Sequence, residues 1–364
     1  MKIGIDISQT AYPGSGVARY THTLISFLLK YDSNNEYVLF FSSLRGDILD
    51  DLKKMINERQ NVVLKRFYLP PTILNILWNN LHIAPIEWFI GKVDILITSD
   101  WLEPPSITAK KITTIHDLVI YKFPETSSPS IVKTQKRRLN WVKKESELIM
   151  CDSEATKKDV EKILKINSQK LKVIYPAVEV KKPSSEDLER VKKKYKLVHP
   201  FILTVGKLEP RKNIAKLVEA FQKTGINNTD LIIAGAKGWG DNDFKISDNV
   251  KFLGFVPDKD LYALYSLAEF FIYPSLYEGF GYPVVEAMSL SCPVAVSNNS
   301  SLAEITQDNG LLFNPNSVED IAKSILQYHD NEELRDKMKE RGLERAKKFS
   351  PEKFTEKLLE VINT

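Results

Sequence analysis

The chain has 364 residues, of which 43% are apolar and 27% charged, and its formal net charge is +4. A chain of this length usually has more than one hydrophobic core, so we expect two domains. Its composition is that of a globular protein rather than of a fibrous or disordered chain. A charge this small gives no reason to expect a nucleic-acid partner, and no apolar run is long enough for a membrane-spanning helix.

The cysteines and the first residues indicate the compartment. Cys151 and Cys292 each lie in an apolar run. Buried free thiols are therefore expected rather than a disulfide, which fits a reducing compartment. The opening residues MKIGIDI favour a strand over a signal peptide. We expect a cytoplasmic protein.

A glycine loop follows the first predicted strand, Lys2–Ser8, and leads into a predicted helix, Val17–Lys30. A dinucleotide-binding fingerprint is the obvious alternative, but the third glycine is absent where Arg19 follows, the loop is too long, and no acidic residue closes a second strand. Gly16, at the start of the helix, is the candidate functional residue of the loop. Gly14 suits an ordinary turn equally well.

Short apolar runs then alternate with helical stretches through the first half of the chain. The predicted strands are Tyr37–Phe41, Val62–Phe67, Asp94–Thr98, Ile112–His116, Leu148–Cys151 and Lys172–Tyr175. The alternation predicts a parallel sheet with helices on both faces. The segment Leu69–Phe89, rich in Leu, Ile and Trp, favours core packing, with an acceptor-cleft wall or a membrane-facing surface as alternatives.

Two segments of this half carry candidate binding residues. His116 and Asp117 stand at the carboxyl end of a predicted strand, the edge at which open α/β sheets bind ligands. The segment Lys133–Lys144 holds six basic residues and no acid, with Leu139 and Trp141 interleaved. A solvated helix face is favoured there, and contact with anionic lipid or a lipid phosphate is the alternative.

The second half repeats the alternation after a linker region, 178–200, which contains a charged helix. Its predicted strands are Phe201–Gly206, Asp230–Gly235, Val250–Gly254, Phe270–Tyr273 and Val294–Ser297. Helices are expected from there to Arg345, and the final predicted helix is Glu352–Ile362.

The stretch 273–304 is the most informative part of the sequence. A buried strand leads into a loop containing Gly279 and Gly281, and Pro283 suits the first turn of the helix that follows. Free N–H groups at such a helix start favour an anion, in particular phosphate. Glu278 and Glu286 flank this position. Carboxylates beside a phosphate site do not bind the phosphate, but they accept hydrogen bonds from sugar hydroxyls.

Residues 278–288, EGFGYPVVEAM, resemble the Glu–x7–Glu signature of the retaining family 4 glycosyltransferases. Two glutamates alone would be typical of a solvated helix, but the glycines, the proline and the preceding strand make the match specific. Residues 206–212, GKLEPRK, resemble the family's G-R-x-x-x-x-K segment, with Lys207 where an arginine is usual. Residues 114–117 resemble its T-x-H-D segment, and residues 14–20 its N-terminal loop, G-x-G-x-x-R-Y.

The resemblance implies the GT-B architecture: an α/β protein with two facing, doubly wound Rossmann-like domains and a last helix that crosses back to the first. The first domain is then 1–178 with the returning helix 350–364, and the second is 179–349. The first domain would hold the acceptor and the second the nucleotide sugar.

The resemblance also implies roles for the site residues. Glu286 would hold the ribose hydroxyls and Glu278 the far hydroxyls of the sugar. Lys212, with either Lys207 or Arg211, would stabilise the diphosphate, and His116 would lie under the donor sugar. The other donor-binding residues implied are Gly16, the loop residues Gly279, Phe280, Gly281 and Tyr282, and Phe255 and Val256, whose backbone would face the base.

By the same resemblance the expected reaction transfers a hexose, mannose from GDP-mannose, to a hydroxyl of a glycan or glycolipid with retention, in polysaccharide or glycoconjugate biosynthesis. No metal or other cofactor is expected, because cations already neutralise the diphosphate. No carboxylate suggests a nucleophile of the kind that retaining glycosidases use, so same-face attack is favoured. The alternatives are a UDP-glucose-type donor, a sugar-nucleotide epimerase of the same fold, a phosphorylase and a non-enzymatic sensor. Peripheral contact with an anionic membrane stays open.

Overall fold

A computed structural model of the chain describes residues 1–12, 14–98, 100–236, 238 and 247–364. Over these ranges the chain divides into two compact units. The first consists of Met1–Ala177 together with Pro351–Thr364, and the second of Val178–Ser350. The last segment of the chain therefore belongs to the first unit.

A parallel sheet forms the centre of the first unit. Within the described residues its seven strands are β1 (Lys2–Asp6), β2 (Glu36–Ser42), β3 (Val62–Phe67), β4 (Ile95–Thr98), β5 (Lys110–Ile115), β6 (Ser146–Cys151) and β7 (Leu171–Val173). Their order is β3-β2-β1-β4-β5-β6-β7, so the direction of winding reverses between β1 and β4. The central strands are buried along almost their whole length, as in sheets covered on both faces.

Helices cover this sheet. They are α1 (Gly16–Tyr31), α2 (Asp50–Asn57), α3 (Pro71–Leu74), α4 (Glu87–Ile90), α5 (Val119–Lys122), α6 (Pro129–Glu145) and α7 (Glu154–Asp159), and π-helical turns extend α3 through Asn75–Asn80 and α7 through Val160–Leu164. The Ser15 hydroxyl caps α1 by accepting from the Ala18 N–H. The chain's last helix, Pro351–Ile362, contributes Phe354 and Leu358 to the same core as Leu24 of α1.

The second unit repeats the design. Over its described residues the strands are β8 (Phe201–Val205), β9 (Asp230–Ala234), β10 (Val250–Gly254), β11 (Phe270–Tyr273), β12 (Val294–Ser297) and β13 (Leu311–Phe313), in the order β10-β9-β8-β11-β12-β13. The helices are α8 (Ser185–Lys194), α9 (Ile214–Lys223), α10 (Asp258–Leu267), α11 (Tyr282–Ser289), α12 (Ser300–Thr306), α13 (Val318–His329) and α14 (Glu332–Ala346), so Pro351–Ile362 is α15.

Some element boundaries differ from the sequence prediction. β1 ends at Asp6 instead of Ser8, because the Asp6 carboxylate accepts from the Ser8 N–H and a 3-10 turn follows. β5 ends at Ile115, so His116 lies just beyond the strand. β7 begins and ends earlier than Lys172–Tyr175. β13 was not predicted, since three residues at a sheet edge show no periodicity.

The two segments of the first unit that allowed more than one interpretation, Leu69–Phe89 and Lys133–Lys144, each contain both buried and exposed side chains. In the segment Leu69–Phe89, Leu74, Trp78 and Ile86 are buried in a core cluster, as favoured, while other apolar side chains of the segment are exposed. In α6 the expectation of a solvated basic face is wrong for Arg138, which is fully buried. Its guanidinium donates to the Asp100 carboxylate at 3.1 Å.

Cys151 and Cys292 are buried free thiols, as the sequence predicts. None of the helices in the described ranges combines the length and the apolar character needed to cross a bilayer.

Candidate active site

Glu278 lies at the centre of a polar cluster in the loop between β11 and α11. Its carboxylate contacts Lys212 Nζ at 2.6 Å and Arg211 Nη1 at 2.9 Å. It also accepts hydrogen bonds from the hydroxyls of Ser275 at 2.5 Å and Tyr273 at 3.0 Å. Its side chain is only 12% exposed, so these contacts are made largely away from water.

Lys212 reaches this cluster from the segment that follows the neighbouring strand β8. It ends a 3-10 turn, Pro210–Lys212, that follows β8, which is the neighbour of β11 in the sheet. Its Nζ donates to the Tyr273 hydroxyl at 2.7 Å as well as to Glu278. Two sequence segments 66 residues apart are thus joined at one point.

The charges of the cluster hold one another in their ionised forms. Burial alone would raise the pKa of Glu278, but the charges of Lys212 and Arg211 outweigh it and lower this pKa to about 2. Burial likewise opposes the charge of Lys212, and Glu278 raises the pKa of that ammonium group. At neutral pH the site therefore presents a carboxylate and an ammonium group side by side.

The two candidates for the second cation have different environments. The Arg211 guanidinium donates to the Tyr277 carbonyl at 2.6 Å and to Glu209 Oε1 at 2.7 Å, in addition to its contact with Glu278. Lys207 is exposed, and its side chain makes no hydrogen bond or ion pair with the part of the chain that the structure describes. The structure thus brings Arg211 into the cluster and leaves Lys207 without a contact to it.

The loop between Glu278 and α11 is fixed by its neighbours. The Ser301 hydroxyl donates to the carbonyls of Glu278 and Phe280, at 2.9 and 2.6 Å. Gly281 immediately precedes α11 with φ +116°, and a Cβ on it would lie 2.8 Å from the side chain of Leu302. A residue with a side chain would be strained at Gly281 and would also displace Leu302. Gly279 is buried in this loop, and Tyr282 is the first residue of α11.

Glu286 differs from Glu278 in its surroundings. It lies on α11 and is only 2% exposed, and its Oε2 accepts a hydrogen bond from the Tyr265 hydroxyl at 3.2 Å. Phe255 and Val256 follow β10, with the Phe255 ring 72% exposed and Val256 buried.

The first unit holds the remaining two candidates. Gly16 begins α1, and a Cβ added to it would meet no atom within 4 Å, so packing does not require glycine there. His116 lies beyond β5, with Nδ1 2.7 Å from Oδ2 of Asp152 and its ring 4.5 Å from that of Tyr20 in an edge arrangement.

Sequence reasoning missed several members of these clusters. Tyr273 and Ser275 were not predicted as site residues, because a hydroxyl in or after a strand carries no recognisable pattern. Asp152 could have been found: it follows β6 just as His116 follows the adjacent strand β5, so both lie at the carboxyl edge of one sheet.

Comparisons with known proteins bear on the family and the fold. Residues 185–345 match the family model described as glycosyl transferases group 1, and residues 14–182 match that of glycosyltransferase family 4. The chain is 29% identical over 375 residues to O-antigen chain mannosyltransferase B of Escherichia coli, covering 98% of this chain and 97% of that one. It is 26% identical to O-antigen chain mannosyltransferase RfbU of Salmonella typhimurium over 289 residues, 72% of this chain and 78% of that one. Its fold matches sucrose-phosphate synthase from Thermosynechococcus elongatus with a TM-score of 0.74 and 18% identity, covering 100% of this chain and 98% of that one.

The two parallel-sheet Rossmann-like units and the family matches define a glycosyltransferase of the GT-B fold. The chain belongs to the family 4 glycosyltransferases, which confirms the expected family and fold.

Proposed function

We propose that this chain transfers mannose from GDP-mannose to a hydroxyl of a growing saccharide in polysaccharide biosynthesis, with retention of the anomeric configuration. The observation that carries the proposal is the buried contact of Lys212 with Glu278 beside the loop that matches the family signature. The O-antigen mannosyltransferase that aligns with nearly the whole chain supports mannose as the sugar.

Lys212 is well placed to act on the departing nucleotide. A nucleoside diphosphate gains negative charge as its bond to the sugar breaks, so a fixed ammonium group nearby stabilises the transition state more than the ground state. Glu278 holds Lys212 in its charged form and at a defined position. The carboxylate in turn can accept hydrogen bonds from sugar hydroxyls, which places the sugar next to the diphosphate.

The second diphosphate cation in this proposal is Lys207. Arg211 already donates to Glu209 and to a backbone carbonyl and contacts Glu278, and it would leave buried acceptors behind if it turned to a ligand. Lys207 is exposed and can move to a phosphate without that cost. Arg211 then acts by holding Glu278.

The remaining donor contacts are part of the same proposal. Glu286 accepts from the ribose hydroxyls beside its contact with Tyr265, and the exposed Phe255 lies next to the base. The open space at Gly16 lets a phosphate or the acceptor approach the backbone at the start of α1.

The proposed chemistry is attack on the same face from which the nucleotide departs, with the leaving phosphate taking the proton of the acceptor hydroxyl. Glu278 is engaged by two cations and two hydroxyls, which suits it to positioning rather than to nucleophilic attack. Lys207 and Lys212 supply the positive charge at the diphosphate, so we expect no metal requirement.

The test is a panel of donors, GDP-mannose, UDP-glucose and their relatives, with mannose-terminated oligosaccharides on a lipid carrier as acceptors and with EDTA in half of the reactions. We expect a mannosylated product of retained configuration, seen by NMR, and equal rates with and without EDTA. Preference for UDP-glucose would replace the donor assignment. Conversion of the nucleotide sugar without any acceptor would favour the epimerase.

We also propose that the first unit contacts anionic lipid through α6 and through the segment Leu69–Phe89, which packs on α6. The α6 surface exposes Lys133, Lys136, Arg137, Lys143 and Lys144, and a groove beside it combines three of these cations with Val132 and Pro129. Arg137 bonds to Asn80 at 2.6 Å, which joins α6 to the segment that exposes Ile76, Leu81 and Ile83. Basic and apolar side chains together suit the surface of a bilayer.

Flotation with vesicles tests the lipid contact. The protein should float with vesicles containing anionic lipid and detach as salt rises. Replacing Lys136, Arg137 and Lys144 with Gln should abolish flotation, whereas Gln at Lys193 and Lys337, two exposed lysines of the second unit, should not. Flotation that ignores lipid charge would contradict the proposal.

A further inference from the structure

A buried histidine–aspartate pair lies at the carboxyl edge of the first unit's sheet. β5 and β6 are neighbours, and Ile115 pairs with Cys151, so the residues that follow them, His116 and Asp152, are brought side by side. Their Nδ1 and Oδ2 atoms are 2.7 Å apart. The side chains are 15% and 5% exposed, so the contact is made largely out of water.

The far atoms of the pair are unsatisfied. His116 Nε2 and Asp152 Oδ1 are buried and have no hydrogen-bond partner among the described residues. A buried polar atom in this condition is costly and marks a place where a ligand can supply the partner. The ring of Tyr20 packs edge-on against His116, and its hydroxyl lies 3.3 Å from Thr114 Oγ1.

The neighbours of His116 determine which atoms carry hydrogen. A carboxylate only accepts, so Nδ1 donates to Asp152. Burial alone would lower the pKa of His116, but the charge of Asp152, helped by those of Asp100 and Asp117, raises it to about 9. Asp100 is itself paired with Arg138, and Tyr20 packs edge-on against the ring. At neutral pH both ring nitrogens then carry hydrogen, and Nε2 is a cationic donor.

We propose that Asp152 is a positioning residue that holds His116 as an Nε2–H donor to an oxygen of the bound nucleotide sugar. The inference rests on the proposed function. A sugar hydroxyl and a phosphate oxygen both satisfy such a donor. A neutral imidazole with its lone pair at Nε2 would not donate to either.

The pH dependence of transfer tests the pair. Wild-type activity should fall at high pH with a midpoint of about 9, as His116 loses its proton. Without the charge of Asp152 the midpoint should drop to the ordinary 6.5 or below. The rate ratio of wild type to Asp152→Asn should then rise about 30-fold between pH 5.5 and pH 8. A ratio that does not change with pH would mean that Asp152 is merely structural.

The chain offers a matched control. Asp51 lies 3.0 Å from His22 but is 65% exposed, so Asp51→Asn makes the same substitution at a histidine–carboxylate contact in water. Its rate ratio to wild type should stay close to one at every pH. In a protein that already carries His116→Gln, adding Asp152→Asn should lower the transfer rate little further, because Asp152 acts through the imidazole.

NMR titration of the His116 ring separates this inference from the proposed function, because it needs no substrate. The signal, assigned by its loss in His116→Gln, should titrate above pH 8 in the wild type and below pH 7 in Asp152→Asn. A wild-type midpoint near 6.5 would overturn the inference, whether or not Asp152→Asn folds. Should no transferase activity be found, the proposed function fails, and the titration alone decides whether Asp152 holds the imidazolium.

Discussion

The substitution Glu278→Gln removes the charge around which the active-site cluster is arranged, while keeping the shape of the side chain. In the folded chain the pKa of this carboxyl falls from 4.5 to about 2. A tenfold change in proton affinity corresponds to about 1.4 kcal/mol, so the ionised carboxylate contributes about 3 kcal/mol to the stability of the second unit. For a unit of this size such a loss lowers the melting temperature by about 6–12 °C.

The pH dependence of this contribution has a definite sign. A carboxyl group with a lowered pKa in the folded state stabilises above its unfolded pKa and loses that effect as its protons return. The difference in melting temperature between wild type and Glu278→Gln should therefore be full at pH 7 and shrink as the pH falls from 4.5 toward 2.

Glu319 provides the control for stability. Its pKa is also lowered to about 2, but by an exposed contact with Lys223, and its side chain is 70% exposed. Solvent screens such a pair, so Glu319→Gln should melt close to wild type. Calorimetry of both variants measures the difference, and equal melting temperatures for the two would refute the inference that the Glu278 cluster is a buried, mutually ionised unit.

The same variant tests the function. If Glu278 orients the sugar while positive charge develops at its reacting carbon, Glu278→Gln lowers turnover with saturating acceptor more than it weakens donor binding. Donor affinity by calorimetry and turnover by product assay give the two quantities. Normal turnover in a correctly folded Glu278→Gln protein would remove this residue from the reaction.

Four further substitutions address the other groups of the donor site. Lys212→Ala should reduce transfer by about two orders of magnitude or more, from loss of a charged contact in a partly dry site, and near-normal kinetics would sink its assignment. Lys207→Ala should weaken nucleotide binding without lowering the melting temperature. Arg211→Ala should also lower the melting temperature, because the buried acceptors of Arg211 lose their donor. The reverse pattern would make Arg211 the second cation. Glu286→Ala should mainly weaken donor affinity, by roughly 1.5–3 kcal/mol for a charged hydrogen bond, and unchanged affinity in titration calorimetry would make Glu286 structural.

The elements that carry the site were predictable because their signals are local. The strand Phe270–Tyr273 has the predicted bounds, and the helix after the glycine loop begins one residue before Pro283. A buried apolar run, two glycines and a proline determine this layout within about twenty residues. The edge strand β13 escaped because it is three residues long and only its last residue is buried.

The partners of individual side chains were harder to predict from the sequence, because they lie on elements far apart in it. The sequence does not indicate whether Arg211 or Lys212 reaches Glu278. The structure shows that both do. Arg138 is the sharper case. It stands among exposed lysines in α6, and its burial depends on partners from other elements, among them Asp100 and Thr113.

The two passages of the chain between its units lie next to each other, with the Val178 N–H donating to the Phe349 carbonyl at 2.9 Å. The second unit is therefore a continuous insertion whose ends meet, and during synthesis it can finish folding by itself. The first unit cannot complete its core at that stage. Until α15 emerges from the ribosome, the core surface against which Phe354 and Leu358 pack stays uncovered, so removing the last 14 residues should leave a first unit that aggregates while the second remains foldable.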